Sequence, residues 1–292
     1  MSHFTRRKFV LTSLAVLASP GLARGEGDRP LRFGILTDAH YADYDSRGSR
    51  HYRQSLAKMR ECVERMNEEQ VALLAELGDF NDGARKPAED DALRYLGEIE
   101  AEFARFAGPR YHALGNHNMD ALSKPQVLAT IENTGIDPER SYYSFDCGAL
   151  HFVVLDPNFR GDGAAYDRGN FRWTDANIPA GQIDWLRKDL AKAGKPTIVL
   201  LHQLLDGEGA QYVNNAAEVR KVLEASGTTL AVFQGHHHGG GYSRIEGIHY
   251  YTLRAMVEGS GPENNAYAIV EVGPGRIVVE GYRRAAGRTM EG

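Results

Sequence analysis

Six short apolar runs form the framework of the chain, and Gly, Asp or Asn stands at most of their ends. The runs lie at residues 31–38, 71–79, 110–116, 149–156, 196–202 and 228–236. Short apolar runs bounded by turn residues are typical of strands that are buried on both faces. We therefore predict six interior strands.

Between these runs, apolar residues recur every three or four positions, the spacing of one helix face. The pattern predicts helices around residues 56–66, 93–106, 183–190 and 219–223. The last two stop at Gly194 and Gly227, and glycine commonly ends a helix. Strands and helices thus alternate along most of the chain, which indicates an α/β protein.

The alternation ends after Gly241. Three strand-like segments follow at residues 247–259, 265–272 and 275–284, the last two joined by a Gly-Pro-Gly turn. We predict consecutive antiparallel strands here, so the α/β layout has a β-rich C-terminal end. No internal repeat or long linker divides the chain, and we expect one domain over residues 31–285.

Composition narrows the class of protein. The 292 residues are 42% hydrophobic and 25% charged, with a formal net charge of −5, and no Lys/Arg cluster lies outside the first residues. Such a chain is globular, and it lacks the basic patch of a nucleic-acid-binding module. Cys62 and Cys147 are too few for a disulfide framework. We expect two separate buried thiols, although an exported protein could pair them.

The N-terminus has the features of an export signal. Arg6 and Arg7 precede an apolar run, residues 9–18, and small residues follow before Gly25. The run is too short for a stable membrane span. The pattern fits a cleaved signal of the twin-arginine kind over residues 1–25; the alternative is a disordered basic tail. We expect the twin-arginine export machinery as a partner, and a periplasmic or extracellular location.

Polar side chains gather where the predicted strands end. The ends carry Asp38 and His40; Asp79, Asn81 and Asp82; Asn116 and His117; His202; and His236, His237 and His238. The carboxyl ends of strands line the binding crevice in open α/β sheets. We therefore expect five separate strand ends to converge on one site.

The residue types at these ends predict a metal centre. Residues i and i+2 share a face in an extended segment, so Asp38 can point with His40 and His236 with His238, while His237 points elsewhere. Two carboxylates, one amide and four imidazoles suit Zn, Mn or Fe. Seven side chains exceed one ordinary site and suit two metal ions bridged by a carboxylate, as in phosphatases.

The ordered motifs "DAH", "GDFND", "GNH", "LLH" and "GHHH" resemble those of the calcineurin-like metallophosphoesterases over residues 31–240. The resemblance implies a four-layer β-sandwich flanked by helices. It also implies two sets of metal ligands that share Asp79: Asp38, His40, Asp79 and His238; and Asp79, Asn116, His202 and His236. It places His117 beside the leaving-group oxygen, as a catalytic residue and not a ligand.

Three longer segments, residues 40–56, 179–190 and 235–259, resemble the manganese-dependent ADP-ribose/CDP-alcohol diphosphatase branch of that family. That branch splits nucleoside diphosphate linkages into two phosphate monoesters. The chain departs from it at two positions. His40 stands where the branch usually has glutamine, and Asn118 stands where an acidic residue is common.

Substrate contacts are predicted from a second set of side chains. Tyr41, Tyr44, Tyr52 and Arg53 could form a nucleotide or phosphate pocket, because arginine pairs with phosphate and aromatic rings stack on bases. They could equally be packing and surface groups. Asn118 is a further candidate contact. Asp82 could be a surface acid, but we interpret it as a hydrogen-bond partner of a metal-bound histidine.

Together these features predict an exported enzyme that hydrolyses phosphodiesters or nucleoside-diphosphate-type substrates with metal-activated water. His117 would act as the general acid, and the partner would be a small phosphate ester or nucleotide. Two alternatives stay open. One is a phosphomonoesterase with the same centre, and the other is a non-catalytic metal-binding module of the same fold.

Overall fold

The structure is a computed structural model that describes Met1 and residues 30–83 and 88–292. The predicted export signal, residues 1–25, therefore lies outside the described residues apart from Met1. The described chain forms two six-stranded sheets with helices on their outer faces.

The first sheet combines a parallel part with an antiparallel part. Its strands are β1 (Leu31–Leu36), β2 (Leu74–Glu76), β3 (Arg110–His112), β10 (Ala266–Gly273), β11 (Arg276–Arg283) and β12 (Arg288–Glu291). Their order is β12-β11-β10-β1-β2-β3, with β1, β2 and β3 parallel and the other pairs antiparallel. The sheet thus continues past residue 285 into β12.

The second sheet has the same mixed character. Its strands are β4 (Tyr143–Cys147), β5 (Leu150–Val154), β6 (Thr197–Leu200), β7 (Thr229–Gln234), β8 (Gly241–Ile245) and β9 (Ile248–Thr252). They lie in the order β4-β5-β6-β7-β9-β8. The inner pairs from β5 to β9 are parallel, and the two edge strands pair antiparallel.

Helices cover the outer face of each sheet, which makes four layers. They are α1 (Ser55–Glu68), α2 (Glu89–Phe103), α3 (Lys124–Thr130), α4 (Ala180–Ala193) and α5 (Ala216–Ser226). One core cluster lies under α1 and α2, another under α4 and α5, and a third between the sheets. The predicted α/β sandwich is confirmed.

Strand β5 shows why the sequence builds layers on both sides. Successive side chains of a strand point to opposite faces. Phe152 and Val154 enter the core between the sheets, where Phe152 packs edge-on against Phe33 at 5.2 Å, and Val153 enters the core under α4 and α5. A strand that is apolar at every position is therefore buried on both faces.

One predicted feature of the C-terminal end is wrong. Strands β10 and β11 form the predicted antiparallel hairpin, but β9 belongs to the other sheet and pairs in parallel with β7. Its partner on the other side is β8, which the apolar pattern missed because its residues are half exposed. Which strands pair depends on the tertiary fold, and the periodicity of apolar residues along the chain does not reveal it.

None of the helices in the described ranges has the length and apolar character needed to cross a membrane. Cys62 is buried, Cys147 is half-buried, and both are free thiols. The two cysteines are therefore separate, as the sequence predicts, although only one of them is fully buried.

Candidate metal centre

The candidate site lies where five parallel strands of the two sheets end. The residues that follow them are Asp38 and His40 after β1, Asp79 after β2, Asn116 and His117 after β3, His202 after β6, and His236 and His238 after β7. The structure brings these predicted residues together at one edge of the sandwich. The first sheet supplies every oxygen donor, and the second supplies imidazoles alone.

The local backbone differs from the extended segments that the sequence suggests. Asp38, His40, Asp79 and His236 have φ values of 53°, 46°, 56° and 64°. This left-handed region is unfavourable for residues other than glycine and is concentrated at functional sites. The reason offered for pairing His236 with His238 is thus wrong, and those two rings belong to different groups.

Two glycines allow the backbone to approach the ligands closely. A Cβ atom at Gly115 would lie 2.3 Å from Asp79 Oδ1, and one at Gly235 would lie 2.8 Å from Asp38 Oδ2. Any side chain at either position would push a carboxylate out of place. The glycines of the "GNH" and "GHHH" motifs therefore have a steric role.

The first group of ligand atoms consists of Asp38, His40 and His238. Asp38 Oδ1 lies 3.2 Å from His238 Nε2 and 3.5 Å from His40 Nε2. Its other oxygen accepts hydrogen bonds from Thr37 Oγ1 at 2.7 Å and from the backbone N–H of His236 at 3.0 Å. Ligands bound to one metal ion lie about 3 to 3.5 Å apart, so these three atoms could hold one cation.

The second group consists of Asp79, His202 and His236, and Asp79 also faces His40 of the first group. Asp79 Oδ2 lies 3.0 Å from His202 Nε2 and 3.5 Å from His40 Nε2. His236 Nδ1 is 3.1 Å from His202 Nε2. Because Asp79 Oδ1 accepts the backbone N–H of His117 at 2.8 Å, Oδ2 alone faces both groups. That is the position of a bridging ligand.

Asn116 provides a further oxygen. It is 1% exposed, it lines the same cavity as Asp79 and His236, and its Oδ1 has no hydrogen-bond partner among the described residues. A buried amide oxygen without a partner is costly. A cation beside the second group would satisfy it.

In each imidazole of the first group, one nitrogen points away from the other ligands, and we call it the outer nitrogen. The hydrogen bonds of these outer nitrogens show that a cation fits between the rings. His40 Nδ1 lies 2.9 Å from Asp82 Oδ2, and His238 Nδ1 lies 2.6 Å from Glu258 Oε1. A carboxylate accepts hydrogen bonds, so each ring carries a proton on Nδ1 and, when neutral, a lone pair on Nε2. The two Nε2 atoms are 3.2 Å apart. Two lone pairs at this distance repel each other unless a cation lies between them.

The electrostatic field of the site also favours positive charge. Burial lowers the pKa of His238, but Asp38 and hydrogen bonds with Asp38 and Glu258 outweigh burial and raise this pKa to about 9. Burial acts in the same way on His202, and Asp79 raises its pKa to about 9. In contrast, burial and the neighbouring His202 lower the pKa of His236 to about 3, which keeps this ring neutral and able to bind a metal.

His117 lies beside the two groups and is held by its own carboxylate. Its Nδ1 is 2.6 Å from Asp120 Oδ2, which leaves Nε2 as the nitrogen that can meet a ligand in the cavity. Burial lowers the pKa of His117, but the charge of Asp79 and the contact with Asp120 outweigh burial and raise this pKa to about 10. Both interactions favour the protonated form of the ring.

Three cavity residues were not predicted from the sequence. The cavity has a volume of about 350 Å³, and Arg50, Trp173 and Gln211 line it together with members of both groups. All three lie outside the helices and outside the strands of the two sheets. The one available signal was the aromatic Trp173 in a segment without periodicity.

Three of the predicted substrate contacts, Tyr41, Tyr52 and Arg53, lie outside the cavity. Tyr41 and Tyr52 are 5% exposed in the core under α1 and α2, and Tyr41 donates a hydrogen bond to Glu98. Arg53 forms ion pairs with two exposed carboxylates, Asp43 and Asp45. None of these side chains lines the cavity. Their composition suggested a pocket, but the fold assigns them to packing and to the surface.

Asn118 does not line the cavity either, and its side chain forms hydrogen bonds with neighbouring residues. Its side chain accepts the backbone N–H of Gly115 at 2.8 Å and donates to Asn81 Oδ1 at 2.8 Å. Asp82 holds His40, as the sequence predicts. His237 belongs to neither ligand group.

Comparison with known proteins decides the family. The model of the calcineurin-like phosphoesterase family matches residues 31–240, which include both ligand groups and make up more than two thirds of the 292 residues. The chain belongs to the calcineurin-like phosphoesterases. This calcineurin-like phosphoesterase is a metal-dependent hydrolase of phosphoric esters that uses two divalent cations, and its two groups of His and Asp side chains could hold them.

Relatives of the phosphoesterase cover nearly its whole length. It is 27% identical to a manganese-dependent ADP-ribose/CDP-alcohol diphosphatase of Oryza sativa subsp. japonica, over 92% of this chain and 97% of the relative. A human protein of the same name is 24% identical over 93% and 96%. In fold it is similar to a dimetal phosphatase from Danio rerio, with a TM-score of 0.79 and 22% identity over 90% and 99% of the two chains.

Proposed function

We propose that this phosphoesterase hydrolyses the diphosphate linkage of nucleoside-diphosphate-type substrates and that its two cations are manganese. The observation that carries the proposal is the position of Asp79 Oδ2 between the two ligand groups, with His117 next to it. The relatives described above, which are named for ADP-ribose and CDP-alcohols, support the substrate class.

We propose the following ligands. Asp38, His40, Asp79 and His238 hold one cation, and Asp79, Asn116, His202 and His236 hold the other. When bound, two divalent cations lower the pKa of water and neutralise the charge on phosphoryl oxygens. The oxygen donors suit manganese, and the relatives that are named as manganese-dependent support this choice of metal.

Two side chains of the cavity complete the chemistry. Arg50 reaches the cavity at 3.9 Å from both Asp82 and Glu258, and its guanidinium can pair with a phosphate that approaches from outside. His117 presents Nε2 to the cavity while Asp120 holds Nδ1. It can therefore deliver a proton to the oxygen that leaves phosphorus.

A substrate comparison tests the proposal. The protein is reconstituted with manganese and assayed with ADP-ribose, bis-p-nitrophenyl phosphate and p-nitrophenyl phosphate side by side. We expect the highest kcat/KM for ADP-ribose, with AMP and ribose 5-phosphate as products. A higher kcat/KM for p-nitrophenyl phosphate would identify a phosphomonoesterase and contradict the proposed substrate class.

We also propose that the protein is exported through the twin-arginine route. The support is the sequence of residues 1–25, with Arg6 and Arg7 before a short apolar run. In a host that has this route, replacing both arginines by lysine should retain the protein in the cytoplasm. Equal amounts of the two forms in the periplasmic fraction would contradict export by this route.

A further inference from the structure

An exposed aromatic ring lies at the cavity of the metal centre. Trp173 is 48% exposed, and Met1 is the only other large hydrophobic side chain that is exposed among the described residues. Leaving an indole in water forgoes the free energy of burying it. An aromatic ring exposed at a cavity of polar groups offers a face on which a planar ligand can stack.

The position of Trp173 relates it directly to the second ligand group. Its ring centroid is 5.7 Å from that of His236, and the indole lines the cavity together with Arg50 and Gln211. The rest of the cavity lining is polar or charged. The cavity therefore offers one flat aromatic surface among groups that suit phosphate and hydroxyl oxygens.

The loop around Trp173 is held by its own hydrogen bonds. The backbone N–H of Asp175 donates to Arg172 O at 2.9 Å, which closes a turn around the tryptophan. The Asp175 carboxylate accepts the backbone N–H of Gly161 at 3.2 Å. Just before Trp173, Phe171 stacks on Tyr166 with 3.9 Å between ring centroids. The backbone that carries the ring is thus held in place, which lowers the entropy cost of binding.

A second loop is tied to the first and brings a polar group to the same wall. The Asn214 side chain donates to Asp175 Oδ1 at 3.2 Å, and its backbone N–H donates to Ala176 O at 2.8 Å. Gln211 lies three residues before Asn214. Gln211 lines the cavity together with Trp173, which makes its side-chain amide accessible to a ligand.

We propose that Trp173 and Gln211 form a subsite for the nucleobase of the substrate, with the base stacked on the indole. The proposal rests on the proposed function, since it needs a nucleotide at the metal centre. A nucleotide is a flat ring joined through a polar ribose to a phosphate, which matches one aromatic face beside a cation site. Because every base has a π face, stacking tolerates both purines and pyrimidines.

A binding measurement tests the subsite without catalysis. The chain has two tryptophans, Trp173 and Trp185, and Trp185 is on α4 against Tyr142. In Trp185→Phe, Trp173 is the only source of indole fluorescence. AMP and CMP should each quench this fluorescence in a saturable manner, whereas ribose 5-phosphate should not. Binding of AMP detected by calorimetry without any quenching would overturn the proposal.

Kinetics separate this subsite from the proposed function. Trp173→Ala should raise KM for ADP-ribose by about 5- to 150-fold, the range of a stacking contact. It should leave KM for dimethyl diphosphate, which has no base, within about twofold, and Trp173→Phe should restore most of the loss. Equal changes for both substrates in Trp173→Ala would overturn the subsite. A wild-type protein that cleaves phosphate monoesters and neither diphosphate would instead overturn the proposed function.

Discussion

The two ligand groups differ in the hydrogen-bond partners of the outer nitrogens of their imidazole rings. In the first group, carboxylates hold the outer nitrogens: Asp82 for His40 and Glu258 for His238. In the second group, the outer nitrogen of His202 meets the backbone carbonyl of Leu77 at 2.8 Å. The outer nitrogen of His236 is buried and has no hydrogen-bond partner among the described residues.

This difference has consequences for metal affinity. A carboxylate behind an imidazole fixes the ring and makes it a stronger donor to the cation. We therefore expect the first group to hold its cation more tightly than the second. A chelator titration followed by metal analysis should remove one equivalent before the other, and Asp79, whose Oδ2 faces both groups, links the two losses.

The largest effect is expected from Asp79→Asn. The bridging oxygen faces both His40 and His202, so an amide there weakens two sites at once. We expect the content of both metals to fall and kcat/KM to drop by at least about 10³-fold, because the cations supply several kcal/mol of transition-state stabilisation. Metal analysis and assays on the purified variant measure both quantities.

The control for this variant is Asp146→Asn, the same change at an exposed carboxylate of β4 that pairs with Lys195. It should keep both metals and full activity. Normal occupancy of both sites in Asp79→Asn would show that the carboxylate does not bridge, and the two groups would then be independent.

The next effect concerns chemistry without metal loss. His117 contacts Asp79 through its backbone, and its side chain is held by Asp120. His117→Ala should keep both metals while kcat falls by about 10²- to 10⁴-fold, the contribution of a general acid. The loss should be smallest for p-nitrophenolate as leaving group, intermediate for a nucleoside diphosphate and largest for an alkyl diester.

His151→Ala is the matched control, since His151 pairs with Asp146 and Asp189 and does not line the cavity. An equal defect of His117→Ala across the leaving-group series would assign His117 to charge stabilisation or positioning. Loss of metal in the same variant would make it a ligand.

The clustering of the candidate ligands could be predicted from the sequence because these residues follow strands directly. Asp38, Asp79 and His202 stand within three residues of a strand end, so a strand pattern places them. Glu258 and Asp120 could not be found in this way, because their partners are set by how loops pack. The same limit applies to Trp173, whose position depends on a turn and on a second loop tied to it.

The predicted substrate contacts show where prediction from residue type fails. Tyr41 directly follows the candidate ligand His40, and tyrosine suits nucleotide binding, yet the rings of Tyr41 and Tyr52 pack under α1 and α2. Residue type and nearness along the chain do not determine which side chains share a cavity. The fold decides that through burial, which an aromatic ring satisfies equally well in a core.

A smaller effect is expected from a change at Glu258, which contacts the first group alone, through His238. The hydrogen bond with His238 lowers the pKa of this carboxyl to about 2 and keeps it charged. Glu258→Gln should weaken the cation of the first group by about 10- to 100-fold, as loss of such an outer partner does. The affinity of the second group should stay unchanged when both are measured by competition with a chelator.

Glu263→Gln, an exposed change in the same loop, serves as the control. Equal weakening of both cations in Glu258→Gln would remove the distinction between the groups. It would mean that the loop supports the centre as a whole and does not act through His238.

The smallest effect is expected from His237→Ala, although His237 stands between two ligands. His236 belongs to the second group and His238 to the first, while the His237 ring lies over Gly239, with its Nε2 3.3 Å from where a Cβ of that glycine would be. Removing a side chain with no role in either group should change kcat/KM by no more than about twofold.

His236→Ala removes a candidate ligand and should lose most of the activity and the second cation, which makes it the matched comparison for His237→Ala. Metal content and kcat/KM of the two variants are measured together. A loss in His237→Ala as large as that in His236→Ala would mean that this ring also reaches the cations and that the assignment of the three histidines is wrong.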